Sequence, residues 1–137
     1  MKKIIAGMTG LTILALSALP AISASHADKE MMMKMMGPML GKWSWNGFVI
    51  ENKACDTNPA KTGMCATVIS GPKNVGMEMI RSPLALKDKE FVGKVAHPMT
   101  GEVYNSKMSL SADMNTWHME GCTDDNACAK GDFKRMQ

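Results

Sequence analysis

Glu102-Val103-Tyr104-Asn105-Ser106-Lys107-Met108-Ser109-Leu110 is the stretch whose reading decides the fold. In an extended chain Tyr104, Ser106, Met108 and Leu110 share one side, and Val103, Asn105, Lys107 and Ser109 share the other. The first side predicts a core face and the second a wet one. Outward from this strand lie further short β-rich runs: Phe48 to Glu51, Cys65 to Ile69, Val75 to Ile80, Phe91 to Val95 and Thr116 to Glu120. Leu40 to Trp45 adds another, with Trp43 and Trp45 on one face, and Asn46-Gly47 behind it marks a turn or bulge. The connections are short and rich in turn formers, as in Gly71-Pro72-Lys73-Asn74, His97-Pro98-Met99-Thr100-Gly101 and Ser111 to Asn115. Parallel pairing needs helical crossovers, for which there is no room, so neighbouring strands are antiparallel. A single sheet with one apolar face cannot bury it unaided, so roughly seven or eight strands close into a barrel or stack as a sandwich. Closure is the simpler route for an up-and-down meander, and the expected fold class is an all-β antiparallel barrel.

The chain has 137 residues, 45% hydrophobic, 21% charged and 5% aromatic, which fits one small domain. Lys2 and Lys3 precede an apolar run from Ile4 to Ile22, and Ser25-His26-Ala27 supplies small residues at a cleavage site. Residues 1–27 therefore read as a secretory signal peptide cleaved near Ala27, giving a periplasmic or secreted protein. Gly7, Thr9, Gly10, Thr12 and Pro20 interrupt the run, which disfavours a retained membrane anchor, and the lack of a Cys near residue 28 disfavours lipoprotein attachment. A Met-rich segment, 28–39, and the barrel domain, 40–137, follow. The first of these predicts a short helix from Asp28 to Met36 that stops before Gly37-Pro38. Without Lys2 and Lys3 the formal charge of +3 reduces to 14 basic against 13 acidic residues, scattered singly. Neither nucleic acid nor an anionic membrane surface is expected as a partner.

Cys55, Cys65, Cys122 and Cys128 form two sequence-local pairs in a chain routed to an oxidising space, which reads as disulfides. Of the three connectivities, Cys55 to Cys65 and Cys122 to Cys128 is favoured because each closes one short loop between strands. Each closure removes about 2 to 3 kcal/mol of unfolded-chain entropy. The spacings match neither a structural zinc site nor a Cys-x-x-Cys redox motif.

Gly41-Lys42-Trp43 after a short helix resembles the Gly-x-Trp opening of lipocalin-like (calycin-like) barrels. Cys55 with Gly63-Met64-Cys65, Val75-Gly76 before an apolar run, and the series from Gly93 through Val95, Pro98 and Gly101 to Tyr104 are similar to the family called domain of unknown function 2147. Leu110, Gly121-Cys122, Cys128 and Asp132-Phe133-Lys134-Arg135 take the places of that family's later motifs. His97 stands where the family has an acidic residue before Pro, and Phe133 where it has a Trp. The resemblance spans about Leu40 to Arg135. It implies a secreted bacterial protein with a lipocalin-like or fatty-acid-binding-protein-like barrel, without an assigned activity, and it fits local disulfides at both cysteine pairs.

The strongest oddity of composition is methionine, with six residues, Met31, Met32, Met33, Met35, Met36 and Met39, inside one short segment. Thioethers are soft ligands that select Cu(I), and exposed ones absorb oxidants as sulfoxide. The same residues are helix neighbours at four-residue spacing, so filling one end of a barrel is the simpler account. His97 and His118 read as surface histidines. Asp124 and Asp125 read as a solvated loop, and no nucleophile elbow, zinc-protease, phosphate-loop or dinucleotide motif is present. The expectation is a non-enzyme without a cofactor that holds a small apolar or amphipathic ligand in the barrel. Its lining candidates are Trp43, Trp45, Met77, Met79, Tyr104, Met108 and Trp117. The alternatives are a Cu(I)-binding or oxidant-scavenging envelope protein and an envelope interaction protein with a filled barrel.

Overall fold

Asn46 and Gly47 both take left-handed backbone angles, φ 44° and 83°, the geometry that folds a strand tightly back on its neighbour. They join β1, Gly41–Trp45, to β2, Phe48–Ala54, with Trp45 opposite Phe48. The structure, a computed structural model, describes residues 30–55 and 63–137, so the signal-peptide reading of residues 1–27 lies outside the described residues. The remaining strands are β3, Met64–Ser70; β4, Ala85–Lys87; β5, Glu90–Ala96; β6, Val103–Leu110; β7, Thr116–Cys122; and β8, Cys128–Arg135. They form one antiparallel sheet in the order β3-β2-β1-β8-β7-β6-β5-β4, in which the first and last strands pair through Trp43 opposite Arg135. The sheet curls into a half-barrel. β6 alternates as its sequence predicts, with Ser106 and Met108 buried and Asn105 and Lys107 exposed.

Between the edge of β3 and the part of β5 that runs beyond β4 lies a segment that corrects one expectation. Val75 to Ile80 is not a strand; it makes only isolated bridges, Thr67 to Glu78 and Ile80 to Val95. Gly76 sits at φ 94°, and the Glu78 side chain turns in to do the work of the backbone. One Glu78 carboxylate oxygen accepts the amides of Ala66, at 2.8 Å, and Ile80, at 3.0 Å. Around it Val68 N–H donates to Met77 O and Met79 N–H to Ala66 O, while Ala96 N–H donates to Met79 O and Arg81 N–H to Lys94 O. The segment thus bonds to β3 on one side and β5 on the other, which leaves few edge amides unpaired. Glu78→Ala is expected to cost about 2 kcal/mol, because two amides lose their acceptor. Glu78→Gln, which keeps an acceptor oxygen, is expected to cost less. Hydrogen exchange of Ala66 and Ile80 measures this directly, rising in the Ala variant before amides in β7 respond.

β4 was not legible as a strand; it is short and hairpins onto β5 through Asp88 and Lys89, both at positive φ, a turn normally written with Asn and Gly. The Met-rich segment is helical over 30–36 and tightens into a 3-10 turn, Gly37–Met39, in line with the predicted stop at Gly37-Pro38.

The curled sheet encloses Trp43, Phe48, Ile50, Met64, Val68, Met79, Phe91, Val95, Met108, Trp117 and Phe133, all buried. Met36 and Met39 close one end over them. There the Met39 carbonyl accepts two buried donors, Trp43 Nε1–H at 2.9 Å and Asn52 Nδ2–H at 3.0 Å. The Arg135 guanidinium lies 4.3 Å from the Trp43 ring centroid and donates to the carbonyls of Pro38, Leu40 and Met114. One cation therefore ties the N-terminal turn, the β6–β7 loop and β8 together over the ring in the middle of β1. The two disulfides staple opposite ends: Cys55–Cys65 beside this Met-filled end, and Cys122–Cys128 at the far end of β7 and β8. Paired cysteines of this kind belong to an oxidising extracellular compartment. Among the described residues no helix is long and apolar enough to cross a membrane.

Candidate functional site: an aromatic cleft at the end opposite the methionines

The interior carries a chain of aromatic contacts running away from the closed end. Trp43 meets Trp117 edge-on, with centroids 5.9 Å apart, and Trp117 meets Phe133 at 4.7 Å. Phe133 stacks on Trp45 at 5.4 Å; Trp45 then receives the His97 ring edge-on at 5.3 Å, and His97 lies 5.8 Å from Tyr104. Up to Phe133 these rings are buried, but Trp45, His97 and Tyr104 are half-buried, and between them opens a cleft of about 50 Å³. Its floor and walls include Val95, Ala96, Pro98, Ser106, Met119 and Phe133, with the backbone of Gly121 and Gly131.

Small residues make the space. A Cβ on Gly131 would stand 2.8 Å from Trp45 Nε1, so the indole rests against the bare β8 backbone and only glycine allows it. His97 is fixed by a turn of its own: Met99 N–H donates to His97 Nδ1 at 3.0 Å, which leaves the proton of the neutral ring on Nε2. Asn74 Nδ2–H donates to Pro98 O at 2.9 Å and braces the same turn from the far side of the gap.

The seven residues expected to line a ligand site separate into two groups. Trp45 and Tyr104 line the cleft, whereas Trp43, Met79, Met108 and Trp117 are buried filling of the core, and Met77 packs half-buried against it. His97, Met119 and Phe133 line the cleft without having been singled out. The usable signal was Gly131, an isolated glycine inside a strand pattern, against whose bare backbone Trp45 packs. His97 reads from sequence as a surface turn histidine; it is instead half-buried against Trp45. His118 does lie on the outer face, its Nδ1 2.5 Å from Asp132 Oδ1, and this bond holds the Asp132 carboxyl below its usual range. A larger concavity of about 530 Å³ lies outside β6, β7 and β8, around Lys107, Glu120 and Lys130, and is solvated surface.

The six clustered methionines point in different directions. Met31 and Met33 are exposed, Met32 and Met35 lean on the core, and Met36 and Met39 are buried in it. Among the described residues no group of three His, Cys, Asp or Glu side chains is placed to hold a metal ion.

Burial pushes the His97 imidazole below the usual histidine range, and the nearby Glu102 carboxylate opposes this only in part. A histidine held neutral in the folded state binds its proton more readily once unfolded. Its contribution to stability is therefore complete above the ordinary histidine pKa and is lost as pH falls through the lowered folded value. Wild-type protein is expected to lose stability between pH 7 and pH 5 by more than His97→Gln does, as read by urea midpoints at each pH.

Comparison with protein-family models, with curated proteins and with solved structures finds no match.

Proposed function

We propose that this is a periplasmic or secreted, non-catalytic binding protein with a lipocalin-like barrel, akin to the domain of unknown function 2147 family, that holds a small apolar or amphipathic molecule. The single observation behind this reading is the cleft between Trp45, His97 and Tyr104, where an otherwise filled interior becomes open to solvent. Eight up-and-down strands, the β1–β8 pairing and the Gly41-Lys42-Trp43 opening support the barrel reading. The cleft volume of about 50 Å³ suits one end of a ligand and not a whole chain, so the molecule is gripped at the mouth. Apolar walls supply the affinity, at roughly 25 cal/mol per Å² buried.

The test is a thermal-shift and tryptophan-fluorescence screen of small amphipathic molecules against oxidised wild-type protein and Gly131→Val. The Val side chain drives Trp45 off β8 and into the cleft. A saturable response in wild type that Gly131→Val abolishes supports the proposal; a wild-type screen without a saturable response, or a response the variant keeps, contradicts it.

A second reading, a filled-barrel interaction protein, is favoured by Ile69, Val75, Met99 and Val103, large apolar residues exposed near the open end. It predicts a silent ligand screen.

A further inference from the structure

Three of the side chains that line the cleft end in hydrogen-bond donors. Trp45 offers Nε1–H, Tyr104 its phenolic O–H and His97 its Nε2–H, and among the described residues none of the three has a hydrogen-bond partner. The one side-chain hydroxyl beside them, Ser106, spends its proton on the Tyr104 carbonyl at 3.1 Å. Three side chains with unanswered donors therefore line one small space with mostly apolar walls, and Trp45 Nε1 lies beside Gly131, a residue of the same lining.

No charge faces them from the walls. Lys130 borders the mouth, but it stands on the outer row of β8, opposite Glu120, while its neighbours Gly131 and Phe133 belong to the inner side. The Glu102 carboxylate does act here, its field reaching His97. An anion entering this space loses its hydration among aromatic walls, meets no cation and feels Glu102. A cation finds donors where it needs acceptors. Its other recourse, the face of an aromatic ring, is restricted because Phe48 and Phe133 both lie near-parallel to Trp45, at 6.1 and 5.4 Å. An uncharged oxygen acceptor answers the donors and is cheap to desolvate.

We infer that the cleft selects an uncharged ligand headed by a hydrogen-bond acceptor, a carbonyl or amide oxygen carried on a short apolar group. This rests on the binding function proposed above and specifies its ligand class. The oxygen enters between Trp45, His97 and Tyr104, and the apolar group lies toward Met119 and Pro98.

The test uses the oxidised protein, labelled with nitrogen-15, and follows its three indole N–H resonances. The probes share a short alkyl body and differ in the head: butanamide, 2-pentanone, butanoate and butylammonium. Butanamide and 2-pentanone are expected to move the Trp45 indole resonance saturably and to leave those of Trp43 and Trp117 in place. Butanoate and butylammonium are expected to bind at least about tenfold more weakly. Tyr104→Phe, which keeps the ring, is expected to weaken butanamide by roughly two- to tenfold, the loss of one hydrogen bond. If butanoate or butylammonium matches butanamide, the ligand class is overturned while binding at the cleft stands. If Tyr104→Phe binds butanamide as wild type does, the donor account is overturned. If none of the four probes moves Trp45, both the ligand class and the binding function fall.

Discussion

Trp43→Ala is expected to cost about 4 kcal/mol, a large share of the total stability of a domain this size, and to shift the urea midpoint accordingly. The magnitude follows from what the ring joins. Trp43 is completely buried, its Nε1–H bonds the Met39 carbonyl, its edge meets Trp117 and its face carries Arg135. Truncation leaves a cavity beneath the Met-filled end and releases the guanidinium from its stacking surface. Arg135→Lys separates the two contributions, because it keeps the charge and loses the fork that reaches Pro38 and Leu40. Its expected cost is about 1 to 2 kcal/mol. If Arg135→Lys matches Trp43→Ala in cost, the clamp and not the buried ring dominates this end.

Replacing all four cysteines by Ser is expected to cost about 5 kcal/mol, near the lower limit of domain stability, so that much of the variant is unfolded at 37 °C. The two bridges span 10 and 6 positions of sequence, and such closures remove about 2.7 and 2.2 kcal/mol of unfolded-state entropy respectively. They sit at opposite ends of the sheet, so their effects are expected to add within about 0.5 kcal/mol in the two paired double variants. Circular dichroism melts of the three variants check this. A quadruple variant that melts with the wild type would show that the sheet alone holds the fold.

The sheet was legible because β6, β1 and β7 alternate strictly and because Asn46-Gly47 and Gly71-Pro72 punctuate them. The local pairing of the cysteines was legible for the same reason: short loops between antiparallel neighbours bring their ends together. Where the reading went astray, side chains had replaced backbone. Val75 to Ile80 has strand composition, yet Glu78 supplies the acceptor that a regular ladder would have supplied, and no periodicity announces that. β4 was missed because Asp88 and Lys89 make a tight turn without the expected glycine.

The site was half legible. Alternation places Trp45 and Trp43 on the same face, but it does not say which of them a bound turn will cover; the Met39 carbonyl, just before β1, and Arg135, from the far end of the chain, decide that. No sequence mark placed His97 against Trp45. Its position against Trp45 follows from the bare backbone at Gly131, which lets the indole settle toward β8. The methionine cluster carried the loudest signal in the sequence, and its two best-buried members are core filling.

Among the described residues, a half-barrel sealed at one end by Met36 and Met39 and opening in the cleft at Trp45 has one direct test, the exchange of the three indole N–H protons with solvent in the oxidised protein. Trp43, buried and bonded to Met39, and Trp117, buried beneath Phe133, are expected to exchange slowly, and Trp45 rapidly. Exchange of Trp43 as fast as that of Trp45 would contradict the sealed end, and protection of Trp45 equal to theirs would contradict the cleft.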